Sequence, residues 1–223
     1  MFKNFLNILF TFFLVFFSSA QEETLLNATK IKFSPLSVRI DFSVPNPTNQ
    51  AWKKCMVGVV EGNLSINYKI PKTNLFMGIG YKGNLFYTPP SFFIFDLKTK
   101  MQMHGSYLKV GYDIAQNNIL FISPSLNLGW CQTSYTGVVC ESKTINYNPS
   151  YSSWFFEPGL NINIMPDSNF GVSASFTFVT TNHIWDPDYI CMNDHVNLTG
   201  LKKDALTTYY NLGLGIYIGI GKK

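Results

Sequence analysis

Charge is scarce in this chain. Of 223 residues, 17 are basic and 13 acidic, 13% in all, where a water-soluble domain carries about a quarter. The net charge of +4 is mild, and the basic residues are scattered along the chain. A nucleic-acid surface, which gathers Lys and Arg on one face, is therefore excluded. Histidine is equally rare, with three in the chain, and no CxxC pair or Cys/His zinc spacing occurs. No glycine-rich phosphate loop or dinucleotide fingerprint is present, so no metal or cofactor is expected. Beyond the first twenty or so residues no apolar run reaches the ~18 that a spanning helix needs. Aromatic residues, by contrast, are plentiful at 16%, with 20 Phe and 12 Tyr.

The amino-terminal segment reads separately. Lys3 supplies a positive start, Phe5 to Phe17 is an apolar run, and Ser18-Ser19-Ala20 offers small residues for cleavage. This pattern is a secretory signal peptide over residues 1–20, and its run is too short to anchor a membrane. Residues 21–223 then form one domain. No Cys follows the cleavage point, so lipidation at Gln21 is not expected.

Within that domain, large apolar residues alternate with small polar ones at period two, the mark of β-strand. In Trp154 to Met165 one face carries Trp154, Phe156, Pro158, Leu160, Ile162 and Ile164, and the other Glu157, Gly159, Asn161 and Asn163. After Pro166-Asp167-Ser168-Asn169 the pattern resumes over Phe170 to Thr181. About eight such strands are expected: 32–44, 55–70, 75–87, 101–114, 119–132, 154–165, 170–181 and 208–221. The polar face is built of Gly, Ser and Asn, which suits the cramped inside of a narrow closed barrel with a greasy outside. The fold class is all-β: a closed eight-stranded antiparallel up-and-down transmembrane barrel. Its connections alternate between about four residues and a dozen or more, so short turns lie at one end and long loops at the other.

Parity along the strands assigns eight charged residues to the lumen: Arg39, Asp41, Glu61, Lys69, Lys82, Lys109, Asp113 and Glu157. Four of each sign must pair there, because an isolated buried charge costs several kcal/mol. Such a network holds the barrel's shape and fills it.

This pattern resembles the small eight-stranded outer-membrane β-barrels of Gram-negative bacteria over nearly the whole mature chain. The last strand adds a sharper match. Asn211-Leu212-Gly213-Leu214-Gly215-Ile216-Tyr217-Ile218 looks like the family's barrel-assembly signal, with Asn211, Gly213, Ile216 and Ile218 at its defining positions. The resemblance implies insertion by the barrel-assembly machinery, outer-membrane lipid as surroundings, and a periplasmic location for both termini. Family members often finish on an aromatic residue, whereas this chain ends Lys222-Lys223. That departure, with the Asn/Lys/Phe-rich composition, fits a distant lineage such as Bacteroidetes.

Four cysteines, Cys55, Cys131, Cys140 and Cys191, fall at or beyond the expected outer strand ends. An even count in an exported chain suggests two disulfides. A local Cys131–Cys140 bridge is the first expectation, leaving Cys55 to pair with Cys191. The segment from Asn182 to His195 holds His183, His195, three Asp and Cys191, but no fixed ligand spacing, so it reads as a polar surface loop. His104 and Ser106 share the lipid-facing side of the fourth strand without an assigned carboxylate. Trp52, Phe92, Phe93, Tyr147, Tyr151 and Trp185 are expected to be exposed on the long loops, where binding commonly resides. The reading is a monomeric barrel with a structural, adhesive or surface-interaction role toward an extracellular ligand, and no catalysis. A narrow pore and a lipid-modifying enzyme are the alternatives.

Overall fold

The computed structural model describes residues 34–89, 99–115, 119–140, 143–147, 149–165, 169–192 and 205–221. The expected signal peptide lies outside them. Eight long strands are present: β1 (Leu36–Pro47), β2 (Val57–Lys69), β3 (Leu75–Tyr87), β4 (Lys100–Tyr112), β5 (Leu120–Thr136), β6 (Ser150–Ile164), β7 (Phe170–Trp185) and β8 (Ala205–Ile220). Each pairs antiparallel with its neighbours in sequence, and β8 returns to pair with β1 from Leu36–Ile220 to Pro47–Tyr209. The sheet is therefore a closed up-and-down barrel. Closure matters because hydrocarbon offers no partner for a free peptide group.

Cross-strand partners define the stagger. From His104 they run through Gly83, Gly62, Phe42, Leu214, Ala174, Ile162 and Ile122 to Ile114, ten residues along the chain from the start. Such a shear tilts strands by roughly 40° to the barrel axis. Strands of 12 to 17 residues at that tilt rise about 30 Å or more, enough to cross the hydrocarbon.

The outer face carries the branched and aromatic residues. Leu214, Leu108 and Phe42 are 72%, 66% and 62% exposed. Ile79, Leu128, Trp154, Leu160, Ile162, Ile164, Val172 and Leu212 join them. A continuous exposed apolar wall of this kind is incompatible with bulk water and matches a lipid-facing band.

The inner face is packed by alternating large and absent side chains. A Cβ at Gly80 would overlap the Tyr107 ring, one at Gly129 the Phe155 ring, and one at Gly111 the Phe76 ring. A Cβ at Gly215 would collide with the Asp41 carboxylate. These glycines are spaces for particular neighbours rather than points of flexibility.

Two features extend the strands beyond the expected limits. β1 continues through Pro45 and Pro47, because its ladder with β2 stops at Ser43–Glu61 and only the β8 side remains paired. Proline is tolerated at such a free edge. The chain then forms a short helix, α1 (Gln50–Cys55), where a loop was expected. Asn49 caps it, its Oδ1 accepting from the Ala51 and Trp52 amides at 2.7 and 3.1 Å. β5, β6 and β7 also run further toward the long-loop end than the alternation suggested.

Gly80→Val is expected to overpack the lumen by one side chain, destabilising the barrel by about 1–3 kcal/mol. Thermal unfolding followed by circular dichroism checks this, and Tyr107→Ala in the same chain should restore part of the loss.

Candidate functional site

Seven of the eight charged residues assigned to the lumen, Arg39, Asp41, Glu61, Lys82, Lys109, Asp113 and Glu157, are buried, and Lys69 is half-buried. At mid-height Lys82 Nζ lies 3.0 Å from Glu157 Oε2 and 3.6 Å from Glu61 Oε2. One lysine thus bridges two carboxylates. Three amides turn their NH2 groups to the same carboxylates. Asn127 donates to Glu157 Oε2 at 3.1 Å, Asn84 to Glu61 Oε2 at 3.2 Å, and Asn211 to Glu61 Oε1 at 3.1 Å. The Lys82 ammonium also sits 4.7 Å from the centre of the Phe155 ring and 5.5 Å from that of Tyr209.

Nearer the short-turn end Lys69 pairs with Asp113 Oδ2 at 3.1 Å, and Ser123 donates to Asp113 Oδ1 at 2.7 Å. Arg39 donates to Asn163 Oδ1 and lies over the Tyr217 ring at 5.8 Å. Tyr107 donates to Asn63 Oδ1 over Gly80 of the intervening β3. These side chains come from inward positions spread over seven of the eight strands, with Asp113 just past β4. The network is therefore a product of closure and not of any local motif.

Toward the long-loop end the inner face changes character. Phe86, Met101, Met103, Cys131, Tyr135, Phe155, Val179 and Tyr209 form a buried apolar cluster, completed by Ala51, Trp52, Cys55 and Met56 from α1 and its flank and by Trp185, Ile190 and Met192. Trp52 lies against Phe86, Trp185 and Tyr209 at ring separations of 5.1, 6.3 and 6.1 Å. α1 is thus a cork seated in the barrel mouth. Trp52 and Trp185 are wholly buried and Tyr151 is half-buried, not exposed on loops as their positions suggested. They face inward because the strands and α1 carry them into the mouth, where apolar packing excludes water. Phe92 and Phe93, the side chain of Tyr147, and His195 lie outside the described residues.

The expected disulfide pairs are not those of the structure. Cys55 and Cys131 are both free and buried, so neither Cys131–Cys140 nor Cys55–Cys191 forms. Cys191 is disulfide-bonded. The reason is again facing. Cys131 points into the lumen at 3.1 Å from Ser153 Oγ, and Cys55 is on the underside of α1. Burial pushes the Cys55 thiol up to about 12, against the opposing pull of Lys54.

The other candidates are dispersed. His104 and Ser106 are exposed on the lipid-facing side of β4, with His104 stacked on Tyr81 at 6.3 Å. His183 turns inward and stacks on Tyr151 at 4.8 Å. Asp186 caps the short helix Pro187–Ile190 by accepting from the Asp188 amide at 2.9 Å. Among the described residues no three His, Cys, Asp or Glu gather into a metal-binding group. In β8, Asn211 and Gly213 face the lumen, while Ile216 and Ile218 face outward and are exposed.

No protein-family model matches the chain, and no curated protein is similar to it. Solved structures are. Neisserial surface protein A superposes with a TM-score of 0.57 at 12% identity, over 84% of this chain and 98% of that one. A major outer membrane protein from Thermus thermophilus gives 0.51 at 10% identity, over 82% and 98%. The fold is that of the small eight-stranded outer-membrane β-barrels. With its apolar outer wall and closed ladder, the chain is an integral protein of the outer membrane.

Lys82→Met leaves Glu61 and Glu157 buried without their cation, and a loss of ~3–5 kcal/mol is expected. Urea unfolding in lipid vesicles measures it, and adding Glu61→Gln and Glu157→Gln should recover much of the loss. Cys55 and Cys131 are expected to resist iodoacetamide in the folded protein even at pH 9, and to react once it is unfolded without reductant; peptide mapping reads both.

Proposed function

We propose that this protein is a non-conducting outer-membrane barrel, with a structural or surface-interaction role exerted through its long-loop end and no catalytic step. The observation that carries this reading is a filled interior. The void beside Arg39, Lys69 and Asp113 is about 20 Å³, room for one water. The gap among Lys82, Met103, Cys131 and Tyr209 admits none. Above it sits the aromatic cork. With the lumen closed at both levels, a narrow pore has little support in this geometry.

The surface left for interaction is asymmetric. The short-turn end is tight: in the turn after β2, Ile70 accepts from Thr73 at 3.2 Å and donates to Leu75 at 2.9 Å. The opposite end presents α1 on its buried base, with Gln50, Lys53 and Lys54 exposed outward. A helix locked from beneath by Trp52 is a stiff platform, and binding sites favour loops held on rigid scaffolds. The neisserial barrel of the same fold is by name a surface protein, which supports the reading. A lipid-modifying site at His104 and Ser106 finds no support. The described carboxylates are either inside the barrel, at Asp41, Glu61, Asp113 and Glu157, or at Asp186 and Asp188 beyond β7.

In planar bilayers the purified protein is expected to give no stepwise conductance; discrete steps would overturn the closed-lumen reading. On intact cells Lys53→Cys should react with a membrane-impermeant maleimide and Thr73→Cys should not. The reverse pattern would place the interaction surface on the wrong side.

A further inference from the structure

β6 and β7 are both longer than the ladder that joins them. Their pairing lapses over Pro158 and Glu157, resumes at Thr180–Phe156 and stops at Thr181–Phe155. Yet β6 continues to Ser150 and β7 to Trp185. Beyond the last pair, β6 remains held to β5 as far as Ser134–Ser150, and β7 to β8 as far as Trp185–Ala205. The wall therefore has a lateral notch between β6 and β7, on the long-loop side of the lipid-facing band. Side chains close it in place of backbone. The Trp154 amide donates to Asn182 Oδ1 at 2.8 Å, and Tyr151 stacks on His183 behind it.

The outer face beside this notch is unlike the rest of the wall. Trp130 and Trp154 are 45% and 61% exposed and meet edge to face, centroids 5.0 Å apart. The next row toward the mouth is His104, Gln132 and Ser152, consecutive register partners, with Gln132 donating to Ser150 Oγ at 3.0 Å. No Lys, Arg, Asp or Glu occupies the outer face of β5, β6 or β7 from the tryptophans to the strand ends. The facing wall carries exposed Val57, Val59, Val60 and Tyr87 near its own strand ends. Ile184 of β7, 49% exposed, is the apolar member of the notch wall, so the contrast with the valines lies in β5 and β6, whose outward positions past the tryptophans are all polar.

We propose that the β6–β7 notch is a docking site for the headgroup of a membrane lipid that bears a neutral sugar. The chemistry matches on each count. Indole faces cover the apolar face of a sugar ring, and amide and hydroxyl side chains exchange hydrogen bonds with its hydroxyls. No Lys or Arg lies beside the tryptophans, the nearest on this wall being Lys100 of β4, two outward positions past His104, so the site lacks the cation cluster that phosphate recognition uses. Exposed Leu128 and Leu160, on the short-turn side of the tryptophans, provide the apolar surface on which the acyl chains of the same molecule lie.

Delipidated full-length protein in micelles is titrated with a monoglucosyl diacylglycerol, a phosphatidylglycerol and a phosphatidylethanolamine of identical chains, and native mass spectrometry counts bound lipid. The glucosyl lipid is expected to bind ~tenfold more tightly than either phospholipid, about 1.4 kcal/mol. Trp154→Leu, which keeps the wall apolar, and the pair Gln132→Ala with Ser152→Ala should each erase that preference. Weak phospholipid binding and the folded circular dichroism spectrum should stay unchanged. Equal binding of all three lipids would mean that this wall is merely tilted out of the membrane, and the proposal fails. A preference for phosphatidylglycerol, or selectivity that survives both variants, overturns it as well.

Discussion

Eight strands at a stagger of ten enclose a lumen of fixed and small cross-section, and every inward side chain must fit it. In a water-soluble protein the hydrophobic effect drives packing from outside in. Here the outer face meets hydrocarbon, so burying it inside would gain little, and the pressure to fill comes from the lumen alone. The structure answers with paired volumes. Tyr107 lies over Gly80, Phe155 over Gly129, Phe76 over Gly111, and Asp41 against Gly215. Enlarging either member of a pair forces the ring of hydrogen bonds to open, and an open ring exposes backbone to lipid.

The filling changes along the axis for a physical reason. At mid-height water is remote from both ends, and a buried ammonium is tolerated only beside carboxylates that are themselves hydrogen-bonded. Lys82 therefore comes with Glu61, Glu157 and three amides. At the long-loop mouth water stands directly above, and there apolar burial yields free energy. Trp52, Trp185, Phe86 and four methionines of the cluster collect at that level. The two layers also protect each other: the cork keeps water from the ion pairs, and the ion pairs fix the walls on which the cork rests.

Much of this was legible in the residue order. Period-two alternation located all eight strands, and parity alone carried Arg39, Glu61, Lys82 and Glu157 to one interior. What escaped has a common cause. Parity is plain only where the inner positions are small or polar; Phe86, Met101, Met103 and Tyr209, at the same parity further along their strands, are as bulky and apolar as outward residues. The same parity turns Cys131 inward, away from any loop partner. α1 left a fainter trace, since six residues carry little periodicity; Asn49 as a cap before Gln50–Cys55 is the available signal. The depth of Trp52 follows from packing of residues distant in sequence, which no local pattern encodes.

Where a barrel can tolerate a gap is equally constrained. Inside the hydrocarbon an unpaired amide costs several kcal/mol, so a break there requires a residue with no amide hydrogen. Pro158 is such a residue, and the ladder lapses beside it before resuming at Phe156. The gap that persists begins only past Phe155, on the mouth side of the lipid-facing leucines, where Asn182 can stand in for a backbone acceptor and polar headgroups can reach the rest. The level at which β6 and β7 part is thus set by the cost of desolvating peptide groups, and the neutral polar side chains gathered there meet whatever the outer half of the membrane places against them.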